Sequence, residues 1–118
     1  KLIQKTNYRN GKKHGKEYYY FTDAEHELKL KWREGNYENG ERQGEYHRWF
    51  RDGKIEQKGQ FLNDKKAGWW SFYSKNGQLI DTGRFDENGK KTGVWDNWFP
   101  DGQQMFSTRY IAGKNISF

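Results

Sequence analysis

The chain has no cysteine, one proline and only three histidines in 118 residues. Without cysteine there is no disulfide framework, thiolate metal site or cysteine nucleophile, although the compartment stays open because exported proteins can also lack it. No stretch approaches the roughly 20 apolar residues that carry a helix across a bilayer. Leu, Ile and Val together fill only eleven positions, and hydrophobic residues amount to 31%. His14, His26 and His47 form no pair at metal-ligand spacing. Ser71, Ser74, Ser107 and Ser117 lack a nucleophile-elbow context. The glycine-rich turns are not followed by a helical pattern, as a phosphate-cradling loop would be. Carboxylates are plentiful but scattered, so no acid/base pair stands out. These gaps point away from an enzyme, and no cofactor or metal is expected.

What the chain has is rings. Six Trp, eight Tyr and eight Phe make 19% of the residues, and each can bury about 150–250 Å². A chain with 32% charged residues and few aliphatics would ordinarily stay disordered, but disordered chains are poor in aromatics. An ordered, ring-built core is expected. The net charge is +6, and residues 1–16 carry Lys1, Lys5, Arg9, Lys12, Lys13 and Lys16 with no acid among them. Such an end suits an acidic partner, although a solvated face explains it as well.

A repeat organises the rings. Gly44-Glu-Tyr46-His-Arg-Trp49-Phe-Arg-Asp-Gly53 leads to Ile55, Gly59 and Phe61. Gly68-Trp-Trp70-Ser-Phe-Tyr73-Ser-Lys-Asn-Gly77 leads to Leu79, Gly83 and Phe85. Gly93-Val-Trp95-Asp-Asn-Trp98-Phe-Pro-Asp-Gly102 leads to Thr108 and Tyr110. The leading glycines are 24 and 25 residues apart, and a less regular copy opens at Gly15. One domain is expected over 1–118, with units at about 8–34, 35–58, 59–82 and 83–109 and a partial one at 110–118.

Asp52-Gly53, Asn76-Gly77 and Asp101-Gly102 separate ring-rich runs, and Asn39-Gly40, Asn63-Asp64 and Asn88-Gly89 mark the alternate turns. Asx-Gly between such runs is a strong hairpin signal. The spacing predicts an all-β, elongated antiparallel meander of stacked hairpins, about 24 residues per unit, with a longer turn at Thr22–Leu28. Counting alternate residues puts Trp49, Tyr73 and Trp98 in one core stripe with Ile55, Leu79, Gly59, Gly83, Phe61, Phe85 and Tyr110. Tyr46, Trp70 and Trp95 have the opposite parity. Either a bulge or curl brings them into the same core, or a neighbouring chain or terminus covers them, or they form an exposed binding strip.

The phrases Tyr8-Arg-Asn-Gly-Lys-Lys-His-Gly15, Tyr37-Glu-Asn-Gly-Glu-Arg-Gln-Gly44 and Phe85-Asp-Glu-Asn-Gly-Lys-Lys-Thr-Gly93 resemble the MORN repeat in its bacterial variant, over about Tyr8 to Lys114. The resemblance implies a twisted sheet of hairpins that binds proteins, and in bacterial variant-repeat proteins an antitoxin or immunity protein that neutralises a toxin. On that reading Trp49, Trp70, Tyr73, Trp95 and Trp98 are the candidate anchors, because hot spots favour Trp and Tyr. Lys12, Lys13 and Lys16 would face an acidic patch on the partner.

Thr92-Gly-Val-Trp-Asp-Asn-Trp98-Phe-Pro-Asp-Gly102 is also similar to the repeats of choline- and glycan-binding wall modules. This gives the alternative: a cell-wall glycan, choline or phospholipid ligand held by the repeated rings. Nucleic acid is not expected, since Lys12, Lys13 and Lys16 before Tyr18, Tyr19 and Tyr20 read as a turn and a core strand. No secretory leader is visible, and processing could have removed one; the sequence leaves the compartment open, leaning to bacterial cytoplasm with the cell envelope after processed export as the alternative.

Overall fold

The computed structural model describes residues 1–22, 29–101 and 105–116. Positions 23–28, which include His26 and most of the expected long turn, lie outside the described residues, as does Gly102. The described strands are β1 (Leu2–Arg9), β2 (Lys12–Thr22), β3 (Lys29–Glu38), β4 (Glu41–Arg42), β5 (Gly44–Trp49), β6 (Ile55–Leu62), β7 (Lys65–Tyr73), β8 (Leu79–Phe85), β9 (Lys91–Trp98), β10 (Met105–Ile111) and β11 (Lys114–Asn115). They form one open antiparallel sheet in sequence order, with the two-residue β4 set aside against β3. The plate measures 52 × 36 × 14 Å. Its thinness is that of one sheet with side chains on both faces.

The turns are of two kinds. At one long edge Asn10-Gly11 (φ 51° and 79°) and Asn39-Gly40 (50° and 88°) have both residues in the left-handed region, the tight hairpin turn that matches strand twist. Three turns along this edge also tie one unit to another: the Gly40 amide donates to the Lys13 carbonyl (2.8 Å), Asp64 to Arg42 (3.0 Å) and Gly113 to Lys91 (2.9 Å). At the opposite edge only the glycine of Asp52-Gly53 is left-handed (φ 92°), and the Phe50 amide closes the loop on the Lys54 carbonyl (2.8 Å).

How one layer buries a tryptophan follows from the strand glycines. Trp70 lies across Gly59 on the preceding strand, where a Cβ would stand 2.1 Å from the indole. Trp95 lies across Gly83 in the same way (2.3 Å), and Tyr46 more loosely across Gly35 (3.3 Å). Each indole N–H donates to the carbonyl just past its glycine, Trp70 to Gln60 (2.9 Å) and Trp95 to Arg84 (3.1 Å). Phe61 stands edge-on between Tyr46 (5.3 Å) and Trp70 (5.2 Å), and Phe85 between Trp70 (6.1 Å) and Trp95 (5.2 Å). Lys66 and Lys91 close the top, their ammonium groups 5.1 Å and 4.6 Å from the two indole centroids. Trp70 and Trp95 are thereby 1% and 0% exposed. At ~25 cal/mol per Å², each buried ring contributes about 4–6 kcal/mol.

The parity count is therefore corrected. Tyr46, Trp70 and Trp95 share the core face with the glycines and with Phe61, Phe85 and Tyr110, whereas Trp49 and Tyr73 pair with Ile55 and Leu79 on the other face. Trp98, three residues past Trp95 in the same strand, joins them there. Bulges cause the switch. Trp49 pairs with Ile55 and Arg48 with Gln57, so Glu56 is an extra residue, and Ile80 is extra between Leu79 and Asp81. One inserted residue inverts every parity beyond it.

The first unit ends the ring stack differently. Glu17 occupies the position that Tyr46, Trp70 and Trp95 hold in later units, and it is only 5% exposed. Its carboxylate accepts from Thr6 (2.7 Å) and pairs with Lys13 (3.0 Å). Burial pushes the Glu17 carboxyl up, but the Thr6 and Lys13 hydrogen bonds and the Lys13 charge outweigh it and hold it below its ordinary value. The same hydrogen bond raises Lys13.

Candidate protein-binding face

The face opposite the tryptophan core carries a second series of rings. Tyr20, Trp49, Tyr73 and Trp98 each stand five residues after a leading glycine. Their cross-strand partners Ile3, Ile55, Leu79 and Met105 are apolar, so the rows join into one stripe across the sheet. From β1 to β10 the stripe crosses eight strand spacings, about 40 Å. The rings are half-buried by their own neighbours, while Met105 is exposed. Trp69, one strand position from Trp70 and so on this face, is 64% exposed.

Cations stand over these rings. The Lys31 ammonium is 5.3 Å from the Trp49 centroid, Lys58 is 5.9 Å from Tyr73, and the Arg84 guanidinium is 5.7 Å from Trp69. His47 stacks on Trp49 at 5.7 Å. Two shallow cavities open beside the stripe. One of about 290 Å³ is bounded by Lys5, Tyr18, Tyr20 and Lys31, and one of about 220 Å³ by Glu45, His47, Lys58 and Trp69.

Of the candidate anchors, Trp49, Tyr73 and Trp98 lie on this stripe. Trp70 and Trp95 do not: their rings are sealed under lysine stems on the opposite face, out of a partner's reach. Lys16 is exposed here and stands 3.9 Å from Glu34. Lys13 belongs to the core face, bound to Glu17 and lying 4.9 Å over Tyr37. Lys12 sits at the tight-turn edge, its stem beside Gly40. Reading single residues missed Tyr20, Lys31, Lys58 and Trp69. Tyr20 had a signal, since it stands after Gly15 as Trp49 stands after Gly44. Lys31 and Lys58 had none, because only strand pairing sets them beside rings.

The chain matches no family model, and a search of curated proteins returns no match either.

Proposed function

We propose that this chain is a non-catalytic repeat module of the MORN type that binds another protein through the Tyr20–Trp49–Tyr73–Trp98 stripe. The observation that carries the reading is the second ring series itself. The core is already complete on the other face, so these rings are not needed to bury Trp70 and Trp95. A stripe of about 40 Å matches the span of a standard interface, about 800 Å² on each partner, better than the size of a small ligand. Half-exposed Trp and Tyr flanked by lysine and arginine are the residues that interface hot spots favour. The likeness to bacterial variant repeats adds the finer role: an antitoxin or immunity protein that neutralises a toxin by covering it.

The choline alternative is less well supported. A quaternary ammonium needs a free ring face, and the ring faces of Trp49 and Tyr73 already carry the chain's own ammonium groups. The test is capture from the native cell with wild-type protein and with the Trp49→Ala/Tyr73→Ala double variant. Wild type should retain one stoichiometric protein, and the variant should bind it about 30-fold or more weakly, the loss expected of hot-spot rings. Retention on cell walls or liposomes in place of a protein would sink this reading.

A further inference from the structure

The cavity of about 290 Å³ at the β1–β3 end of the stripe has a chemistry of its own. Its floor is aromatic, from Tyr18 and Tyr20, which β1 and β3 flank with Lys5, Glu34 and Lys31. Lys5, Lys31 and the Glu34 carboxylate line it, and Lys16 reaches Glu34 from just outside. Glu34 is shared between Lys16 at 3.9 Å and Lys31 at 3.7 Å, and both distances are long for ion pairs. Lys5 has no acidic partner among the described residues. Arg33 borders the cavity, but its guanidinium is engaged with the Tyr19 and Trp32 rings at 4.1 Å and 5.0 Å. The site therefore holds an excess of positive charge above an apolar floor.

We propose that this cavity receives the carboxylate of an Asp or Glu side chain on the bound protein, fixing the register of that protein along the stripe. The inference rests on the protein-binding reading of this face and adds its polar anchor. A carboxylate seated between Lys5 and Lys31 would supply the missing negative charge, and its methylenes would rest on Tyr18 and Tyr20. The volume lies just below the usual range for small-molecule pockets, about 300–1,000 Å³, and fits one side chain better than a cofactor. The positive excess around Glu34 also places the site where long-range attraction would guide docking.

The probes are two capped tripeptides, acetyl-Gly-Glu-Gly-amide and its Gln counterpart, titrated into isotopically labelled protein while the tyrosine ring signals are followed. The Glu peptide should move Tyr18 and Tyr20 and leave Tyr110 still, and the Gln peptide should move none of them. Lys5→Gln, an exposed change that leaves the fold intact, should weaken the Glu peptide about threefold, the effect of losing one solvent-exposed charge pair. Equal responses to the two peptides, or an unchanged response in Lys5→Gln, would overturn the proposal. The result is separable from the capture experiment: Trp49 and Tyr73 report on protein binding, Lys5 and the two tyrosines on the carboxylate seat.

Discussion

Replacing Gly83 with Ala tests the ring-over-glycine packing directly. The added Cβ would lie 2.3, 2.4 and 2.5 Å from three atoms of the Trp95 indole. These are body atoms of a ring that is 0% exposed, held by the bond to the Arg84 carbonyl and flanked by Phe85. The ring cannot swing a flexible tip aside, so either the strands part or the indole leaves its seat. Parting costs about 1–3 kcal/mol, the usual range for overpacking. Expulsion costs about 3–5 kcal/mol, as for truncating a buried Trp. With contacts this short, the second range is expected.

The control is Gly53→Ala. Nothing lies within 4 Å of its new Cβ, and only the left-handed backbone (φ 92°) resists it, for about 1–2 kcal/mol. Urea unfolding with an unchanged slope gives both numbers. Combining Gly83→Ala with Trp95→Leu should recover part of the loss, a coupling of about 1–3 kcal/mol between touching residues. If Gly83→Ala proves no more costly than Gly53→Ala, the packing account of this sheet is wrong.

Glu17 predicts an acid limb. Its folded pKa is held below the ordinary value, so its contribution is present above the ordinary carboxylate range and is lost as pH falls through the depressed one. Glu17→Gln should flatten the fall in urea midpoint below about pH 4. Lys66 shows burial lowering a pKa, helped by the nearby Lys91 charge. Because its stem seals Trp70, Lys66→Met should stay within about 0.5 kcal/mol of wild type, and Lys66→Ala should cost about 1 kcal/mol by thermal melts. The reverse order would mean that charge, not cover, holds that position.

The meander and its turns were legible because Asx-Gly pairs and glycine–ring spacing are local. Asn39-Gly40 and Asp52-Gly53 both mark hairpins, although the dipeptide alone does not tell the tight turn from the longer one. The faces were not legible. Ile55 and Gly59 are an even number of residues apart, which implies a shared face, yet the unpaired Glu56 between them separates them. A bulge is a decision of the partner strand, and nothing in Ile55-Glu56-Gln57 announces it. The substitution pattern carried one unused clue. Thr108 stands where Gly59 and Gly83 stand, and no described residue after Tyr110 is aromatic. A glycine is demanded only where a later ring will arrive, which already names Trp70 and Trp95 as the rings that need room.

That dependence runs one way along the chain. Gly59 and Gly83 each leave an empty notch that the next copy fills with an indole, so neither copy is complete alone and these two junctions share one shape. Cutting out one whole period, from the residue after Gly68 through Gly93, would set Trp95 against Gly59, bring matching surfaces together and leave a shorter protein that still closes. Cutting out half a period would set a notch against nothing.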